Sequence, residues 1–332
     1  MIKKIVNKLA DIKFVQQYSS GKGTIFMLHR IGNINHNGIS EVENLKVSSK
    51  FLEKILLELK DMDYDFISIA QVKDRLSNPN NKKRFAVFTF DDGYKDNYLY
   101  AYPLFKKYNI PFTIYITNSF PNKTAILWWE LLADVITKNG ILYIKDKEYV
   151  IKTKEQKELV FKDIRKQILT FDKNIVENIK NILPKYNLNF QKYSAKLCIS
   201  WEELEILRND KLVTIGSHTM NHLALNTLSK DKIVKEIVES NKELEDKLHI
   251  TINHFAYPFG NKLTTTKEVI NTVKDITVFK SCVTTRIGNL FKDHINYMSG
   301  LPRVALTQKY NLKTKMFVIP LLVNRFRKTI IC

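Results

Sequence analysis

Cysteine is scarce in this sequence, which has only Cys198, Cys282 and Cys332 among its 332 residues. They form no Cys-x-x-Cys pair and show no regular spacing, so a disulfide framework is not expected and a reducing compartment is favoured. Long apolar runs are also missing. Neither end approaches the roughly 20 apolar residues that span a bilayer, and the amino-terminal segment has no apolar run followed by a cleavage site. We therefore expect a cytoplasmic protein without a signal peptide.

Acidic residues are outnumbered, because 34 Asp and Glu stand against 53 Lys and Arg and give a formal net charge of +19. Such a charge attracts anions, among them nucleic acids, anionic membranes and acidic glycans. The sequence contains no RRM, zinc-finger or helix-turn-helix signature, so no nucleic-acid partner is expected. A lysine-rich proteome would produce the same excess without any anionic partner.

Both terminal segments mix basic with apolar residues. Residues 1–20 place apolar and lysine side chains at helical spacing, and residues 311–332 carry an apolar stretch followed by Arg325, Arg327 and Lys328. Either segment could lie on the inner face of an anionic membrane. The alternative is a pair of terminal helices packed on the domain.

Short apolar runs alternate with amphipathic helical stretches, which predicts repeated βα units and an α/β fold with a parallel sheet. Helices are predicted at residues 51–59 and 229–248, and the Ser200–Glu203 capping box predicts a further helix that starts at Trp201. The predicted strands are residues 24–28, 65–69, 85–90, 112–117, 213–216, 254–257 and 278–284.

Residues 119–197 are far too many for a connection between a strand and a helix. They contain a predicted helix at 128–136, a predicted hairpin with strands 141–144 and 149–151, and one or two lysine-rich helices within 154–183. We interpret this stretch as a mainly helical insertion subdomain. The remaining core domain then consists of residues 21–118 and 198–310, flanked by the two terminal segments.

Two adjacent acids, Asp91 and Asp92, follow the predicted strand 85–90 in the sequence TFDDG. Gly93 allows a sharp turn, so both carboxylates can face one site at the end of the strand. Two neighbouring carboxylates repel each other when both are ionised, so it is unfavourable for both to serve in the same role. A metal ion on one of them would leave the other free to act as a base, although Asp-Asp-Gly is also a common turn.

Two histidines, His218 and His222, follow the predicted strand 213–216. At a spacing of four residues they would lie on one side of a helical turn and could reach one metal ion. Parallel strands gather active-site residues at their carboxyl ends. One Asp and two His would form a facial triad with open positions for water and substrate, for which one divalent ion, zinc first, is the natural candidate.

These segments resemble the polysaccharide deacetylase family, also called the NodB-homology or carbohydrate esterase family 4 group. The motif TFDDG stands at residues 89–93, His-[Ser/Thr]-x-x-His at 218–222, and the AYPFG form of the third motif at 256–260. The resemblance implies a distorted (β/α)7 barrel and a metal-dependent hydrolase. Such an enzyme would remove acetyl groups, N-acetyl groups above all, from an acetylated glycan or glycan precursor in surface polysaccharide biosynthesis.

The resemblance also implies roles for individual residues. Asp91 resembles the general base, and Asp92, His218 and His222 resemble the metal ligands. The backbone N–H near Tyr94 would help to hold the oxyanion. From the third motif, Tyr257 and Pro258 would border the substrate.

Two departures from the family pattern shift roles to other residues. Many members have an Arg in the third motif where this chain has Ala256, and Arg303 is the candidate to orient the base instead. The late Leu-x-His motif of many members is missing, so His29, after the first predicted strand, is the candidate general acid. His294 is the weaker alternative. A proton donor is required because the leaving amine must be protonated.

Two other functional classes stay open on the sequence alone. A non-catalytic carbohydrate-binding protein could retain the deacetylase fold, as Ala256 and the missing Leu-x-His allow. A metal nuclease would suit the basic charge, but the sequence has no nuclease motif. Among aromatic residues, Tyr94, Trp128 and Trp129 could stack on sugar rings, whereas Trp201 is expected in the core.

Overall fold

The computed structural model describes residues 8–78, 80, 82–145, 147–170, 175–276, 279–309 and 311–323. The strands in these ranges are β1 (Gly23–Leu28), β2 (Arg30–Ile31), β3 (Lys46–Val47), β4 (Asp65–Phe66), β5 (Phe85–Phe90), β6 (Phe112–Ile116), β7 (Ile141–Ile144), β8 (Lys147–Val150), β9 (Val213–Ser217), β10 (His254–Ala256), β11 (Ser281–Ile287) and β12 (Leu301–Ala305). The helices are α1 (Lys13–Ser19), α2 (Ser40–Glu43), α3 (Ser49–Asp61), α4 (Val72–Ser77), α5 (Tyr102–Tyr108), α6 (Trp128–Lys138), α7 (Lys154–Thr170), α8 (Ile175–Ile182), α9 (Phe190–Leu197), α10 (Trp201–Arg208), α11 (Lys230–Leu248), α12 (Lys267–Ile276) and α13 (Ile319–Val323).

Seven parallel strands close into a barrel in the order β1-β12-β11-β10-β9-β6-β5, and β5 returns to β1. The closing register runs from Gly23 opposite Phe85 to Leu28 opposite Phe90. The two-residue strand β4 pairs with the start of β5, and β6 pairs with its end. Strands that are buried on both faces need apolar residues nearly throughout, as β1 and β5 show. This architecture confirms the predicted (β/α)7 barrel.

The seven barrel strands differ by one member from the seven predicted strands. Residues 65–69 form only the short β4, because the capping box of Ser68 and Gln71 starts a 3-10 turn at Ile69–Gln71. The predicted strand 278–284 begins at Ser281, and residue 278 lies outside the described residues. The seventh barrel strand, β12, was missed because Pro302 lacks an amide donor and interrupts the strand pattern.

Alternate side chains of the barrel strands enter two separate apolar clusters. Phe88 and Phe90 of β5 pack outward against the helix residue Phe105, with ring centroids 5.2 and 5.8 Å apart from it. Val87 of β5 and Tyr115 of β6 belong to the other cluster, inside the barrel. This period of two determines which side chains at the strand ends point into the barrel.

The insertion has an apolar cluster of its own. Helix α6, hairpin β7–β8 and helices α7 and α8 fall where the sequence predicted them, and α9 is an additional helix. Their buried side chains form one cluster with Ile39 and Val42 from the loop between β2 and β3. This cluster indicates that the insertion packs as a unit of its own. Its boundaries at residues 119 and 197 stay a prediction. The capping box of Ser200 and Glu203 starts α10 as predicted, with hydrogen bonds of 2.9 and 3.2 Å.

The two terminal segments meet on the barrel. Helix α1 packs against the π-helical turn Thr314–Val318 that precedes α13. Residues 1–7 and 324–332 of the predicted terminal segments lie outside the described residues. In the part of the chain that the structure describes, every helix is too short or too polar to cross a bilayer.

Gly216→Ala is expected to lower the free energy of unfolding by about 1–3 kcal/mol. This is the usual cost of placing a larger side chain in a packed core, because neighbouring side chains and backbone must move. A Cβ at Gly216 would lie 2.5 Å from a ring carbon of Tyr115 and 2.8 Å from the carbonyl oxygen of His254. Urea unfolding measures the change. Gly32→Ala is the matched control, because a Cβ there meets nothing within 4 Å; equal stability changes in both variants would contradict the prediction.

Candidate metal centre and active site

The turn after β5 sends Asp91 and Asp92 in different directions. Val87 and Thr89 alternate into the barrel, and Asp91 continues that alternation. Asp92 has a φ of 77° and Gly93 a φ of 95°. The left-handed backbone at Asp92 is costly for a residue with a Cβ. It turns the chain back, so that the second carboxylate also faces the carboxyl end of the barrel.

Asp91 is held by a buried, bidentate ion pair with Arg303 of β12. The two guanidinium nitrogens Nη1 and Nη2 donate to Oδ1 and Oδ2 of Asp91, each at 2.7 Å. Arg303 Nε donates to the carbonyl of Thr284 at 2.9 Å, and Nη1 also reaches Thr89 Oγ1 at 3.0 Å. Both members of the pair are at most 2% exposed. Burial alone would raise the pKa of Asp91, but the surrounding basic groups, Arg303 foremost, together lower it below its usual value, so the carboxylate stays ionised near neutral pH.

His218 offers its Nε2 to the site. Its Nδ1 lies 2.7 Å from the carbonyl oxygen of Ala256. Because a carbonyl oxygen only accepts hydrogen bonds, Nδ1 must carry the proton. Nε2 then faces Asp92 Oδ1 at 3.4 Å. A histidine whose second nitrogen donates to a backbone carbonyl is the usual arrangement for a metal ligand.

The predicted helical turn between the two histidines is wrong. Thr219 and His222 have φ values of 69° and 57°, so residues 218–222 form a loop with two left-handed positions. The His222 amide donates to Thr219 Oγ1 at 3.1 Å, which closes this loop. His222 Nε2 thereby comes to 3.3 Å from Asp92 Oδ1. Burial lowers the pKa of His222 to about 4, so its ring is neutral at pH 7.

Asp92, His218 and His222 fit a divalent metal ion. Their ligand atoms all lie within 4.8 Å of one another. Asp92 Oδ1 is buried and has no hydrogen-bond donor among the described residues. When both Nε2 atoms are unprotonated, a buried carboxylate oxygen that faces them is unfavourable unless a cation joins the three atoms. One carboxylate and two imidazoles are ligands that zinc and similar divalent ions accept.

His29 follows β1 and is partly exposed. Strands β1 and β5 pair in parallel with Leu28 opposite Phe90, so His29 follows its strand at the same end of the barrel as Asp91. The alternative candidate His294 is fully buried, and its Nδ1 accepts a hydrogen bond from the Phe291 amide at 2.9 Å. It lies near the amino end of β1, away from the other candidates.

The side chain of Tyr94 lies beneath the site and not on its surface. It is fully buried, and its hydroxyl accepts a hydrogen bond from Trp129 Nε1 at 3.2 Å. The guanidinium of Arg30 covers the ring at 4.8 Å and also pairs with Asp96 and Glu130. Stacking of the Tyr94 ring on a sugar is therefore excluded, whereas the proposed role of the nearby backbone N–H is unaffected. These contacts tie the first helix of the insertion to the site.

The remaining aromatic candidates divide between core and surface. Trp128 is 9% exposed and belongs to the apolar cluster of the insertion, and Trp129 is partly buried beside it. Trp201 packs on the edge of the outer barrel cluster and donates through Nε1 to Asn122 Oδ1 at 2.9 Å. Trp201 was expected in the core, and the structure places it at the edge of the core, partly buried.

The third motif places Phe259 next to His222, one of the candidate metal ligands. Tyr257 is buried, and its hydroxyl donates to the carbonyl of Ser299 at 2.9 Å; Pro258 is buried as well. Phe259, which is 46% exposed and has a φ of 60°, packs against His222, with ring centroids 4.9 Å apart and the two ring planes tilted by 60°. Sequence reasoning missed Phe259 and the positioning contacts of Thr89 and Thr284. The Pro-Phe-Gly break was the only available signal for Phe259.

The family model described as Polysaccharide deacetylase matches residues 78–145 and 161–276, more than half of the chain. YxkH of Bacillus subtilis (strain 168), whose name assigns it to the polysaccharide deacetylases, is 33% identical over 82 residues. This match spans 24% of the chain and only 29% of YxkH.

Several solved structures share the fold. PplD from Streptococcus pyogenes, solved in complex with acetate, superposes with a TM-score of 0.58 at 20% identity, over 90% of this chain and 99% of that one. IcaB from Ammonifex degensii gives 0.54 at 16% identity, over 87% and 94%. BC0361, a polysaccharide deacetylase from Bacillus cereus, gives 0.56 at 17% identity, over 88% and 67%. At these identities the likeness shows the fold alone.

Replacing both histidines, as His218→Ala with His222→Ala, is expected to abolish tight binding of one divalent ion per chain, because only Asp92 would remain as a ligand. Elemental analysis after dialysis against zinc or cobalt measures the bound metal. His254→Ala is the control, since this buried histidine bonds to Ser281 and lies outside the ligand set. Equal metal content in all three proteins would contradict the assignment.

Arg303→Met is expected to destabilise the fold by about 3–5 kcal/mol, because it leaves the buried Asp91 charge without its partner. Adding Asp91→Leu should recover part of this loss, since no buried charge then remains. Thermal and urea unfolding of the single and double variants give the coupling free energy. Additive losses would show that the two side chains do not depend on each other.

Proposed function

The chain belongs to the polysaccharide deacetylase family, and on that premise we propose that it is a carbohydrate deacetylase that hydrolyses N-acetyl groups of a glycan or glycan precursor. One observation carries the proposal. An ionised, buried carboxylate, Asp91, is fixed by Arg303 beside the three candidate ligands Asp92, His218 and His222. This pairing of a positioned base with a metal set is what amide hydrolysis by an activated water requires.

Asp92, His218 and His222 would hold the metal ion, for which zinc is our first choice. When bound, the ion supplies a Lewis acid that polarises the acetyl carbonyl and lowers the pKa of a water molecule. Arg303 keeps both oxygens of Asp91 in place. The loop from His218 to His222 is held through Glu236 of α11, which accepts from the Asn221 amide at 2.9 Å.

Asp91 and His29 would transfer the protons. In the proposed reaction, water oxygen bonds to the acetyl carbon while Asp91 accepts the proton of the water. The carbon–nitrogen bond then breaks, and His29 donates a proton to the leaving amine. The products are acetate and a free amino sugar. The backbone N–H near Tyr94 is our candidate donor to the negatively charged carbonyl oxygen.

The insertion is our candidate for selecting the glycan. A cleft of about 270 Å³ lies between it and the loop that follows β2, and Arg30, Glu130 and Asp134 are among its lining residues. Arg30 pairs with Glu130 and Asp134 pairs with Lys138 at 2.6 Å, and three basic and three acidic side chains are among the residues that line the cleft. Paired charges offer hydrogen-bond donors and acceptors without a net charge, which suits a neutral sugar.

Asp91→Asn and His29→Gln are each expected to reduce acetate release about 10²–10⁴-fold, the usual contribution of a general base or acid. Acetate release from acetylated amino-sugar oligomers is the readout. His294→Gln is the control histidine, because His294 lies at the other end of β1. Metal content is measured in parallel: a metal-loaded wild type that releases no acetate from any acetylated glycan would favour a carbohydrate-binding protein instead.

We further propose a peripheral contact with anionic membranes, supported by the net charge of +19 and by the exposed apolar side chains of the amino-terminal segment. Phe14 is 72% exposed and Ile12 is 46% exposed. Amphipathic segments with basic residues bind anionic lipid surfaces in this way.

Wild-type protein is expected to float with vesicles that contain phosphatidylglycerol, because the attraction is electrostatic. With vesicles of pure phosphatidylcholine it should remain unbound at the bottom of the gradient. Raising the salt concentration should weaken the binding, since surface charges are screened. Flotation in a density gradient measures the bound fraction. If the protein does not bind anionic vesicles even at low salt, the proposed membrane contact is wrong.

A further inference from the structure

A second pocket lies at the opposite end of the barrel from the candidate active site. Its volume is about 360 Å³. It opens where β1 and β5 begin, whereas the candidate metal ligands follow the carboxyl ends of β5 and β9. The residues that line it are Tyr18, Ser20, Gly21, Lys22, Arg84, Phe291 and Lys292.

The backbone fixes the walls of this pocket. The Lys22 amide donates to the carbonyl of Leu290 at 2.7 Å, and the Lys22 carbonyl accepts from Phe85 at 3.2 Å. Gly21 has a φ of 57°, and a Cβ there would lie 2.2 Å from the Leu290 carbonyl oxygen. Three chain segments that are distant in sequence are thus held together at one place. The pocket is a built feature of the barrel end.

The charged residues of the pocket are all cationic. Lys22, Arg84 and Lys292 line it, and no carboxylate is among its described lining residues. None of these three cations has a carboxylate oxygen within 4.0 Å in the described part of the chain. Asp293, next to Lys292, is exposed and does not line the pocket. Neighbouring cations without a carboxylate partner repel each other and favour a bound anion.

An exposed apolar ridge borders the same pocket. The ring of Phe14 stacks on Tyr18, with centroids 6.0 Å apart and an interplanar angle of 22°. Tyr18 lines the pocket, while Phe14 is 72% exposed and Ile12 46%. A soluble anion would be bound by the cations alone and gives no reason for the neighbouring apolar ridge. A lipid surface presents phosphate groups and an apolar layer side by side, which matches both features.

We propose that this pocket binds the phosphate of an anionic phospholipid headgroup while Ile12 and Phe14 enter the adjoining apolar layer. The carboxyl ends of the barrel strands, with the candidate active site, then face away from the membrane. The inference rests on the proposed membrane contact and is independent of the deacetylase activity. It adds to that contact a specific pocket and an orientation of the barrel.

The test compares two variants that lose the same charge. The pocket variant carries Lys22→Gln, Arg84→Gln and Lys292→Gln, and the control carries Lys230→Gln, Lys232→Gln and Lys242→Gln on exposed positions of α11. Each basic group close to an anionic surface contributes roughly fivefold to binding. The pocket variant should therefore bind phosphatidylglycerol vesicles on the order of a hundredfold more weakly than wild type, and the control should lose much less. Equal losses in the two variants would overturn the pocket.

Two further measurements separate the remaining outcomes. If Ile12→Ser with Phe14→Ser abolishes vesicle binding and the pocket variant retains it, the membrane contact stands and the pocket assignment fails. In the second measurement, the Tm of the wild-type protein is recorded at increasing concentrations of inorganic phosphate. Stabilisation by phosphate that the pocket variant lacks, without any binding to vesicles, would show a soluble phosphate ligand and overturn the lipid proposal. Matching Tm values of the variants without ligand verify that they fold.

Discussion

The buried ion pair between Asp91 and Arg303 organises the centre of the barrel. It joins the residue that follows β5 to β12, which is not a neighbour of β5 in the sheet, through two hydrogen bonds of 2.7 Å between buried side chains. Two charges removed from water cost several kcal/mol each unless their geometry is close to ideal. The additional bonds of Arg303 to Thr284 and Thr89 supply that geometry. In the proposed reaction Asp91 is the base, and a base that is fixed before the substrate arrives needs no reorganisation during the reaction.

Four of the nine non-glycine residues that have a positive φ in the described part of the chain lie around the same centre. Asp92, Thr219, His222 and Phe259 all have positive φ values. Each such residue costs on the order of 1–3 kcal/mol and persists only where the surrounding structure compensates. The barrel compensates here through bonds between neighbouring loops, such as the Thr117 amide to the Asp92 carbonyl at 3.2 Å. The strained loops bring ligand atoms from β5 and β9 to one point, which straight continuations of the strands could not do.

The two ends of the barrel are chemically different. The carboxyl end combines ionised carboxylates, imidazoles and the insertion, which is tied to it through Arg30, Glu130 and Trp129. The amino end combines three cations, for which the described residues supply no carboxylate partner, with the exposed apolar ridge of α1. An enzyme that works on a glycan beside a membrane would need both, one end to hold it at the surface and the other to reach the sugar.

Local sequence patterns determined the strand and helix types, because burial on both faces leaves an apolar run and burial on one face leaves a helical period. They also located TFDDG and the histidine pair at strand ends, the helices of the insertion and the capping box at Ser200. The barrel strand β12 was missed because Pro302 interrupts its apolar pattern. The predicted helical turn at His218 was wrong because two left-handed residues leave no periodic signal. Only the tertiary structure decided that Arg303 lies on Asp91, that Phe259 covers His222 and that three cations share a pocket. Such contacts join residues that are far apart in the chain, as the 212 positions between Asp91 and Arg303 show, and no local window of sequence contains them.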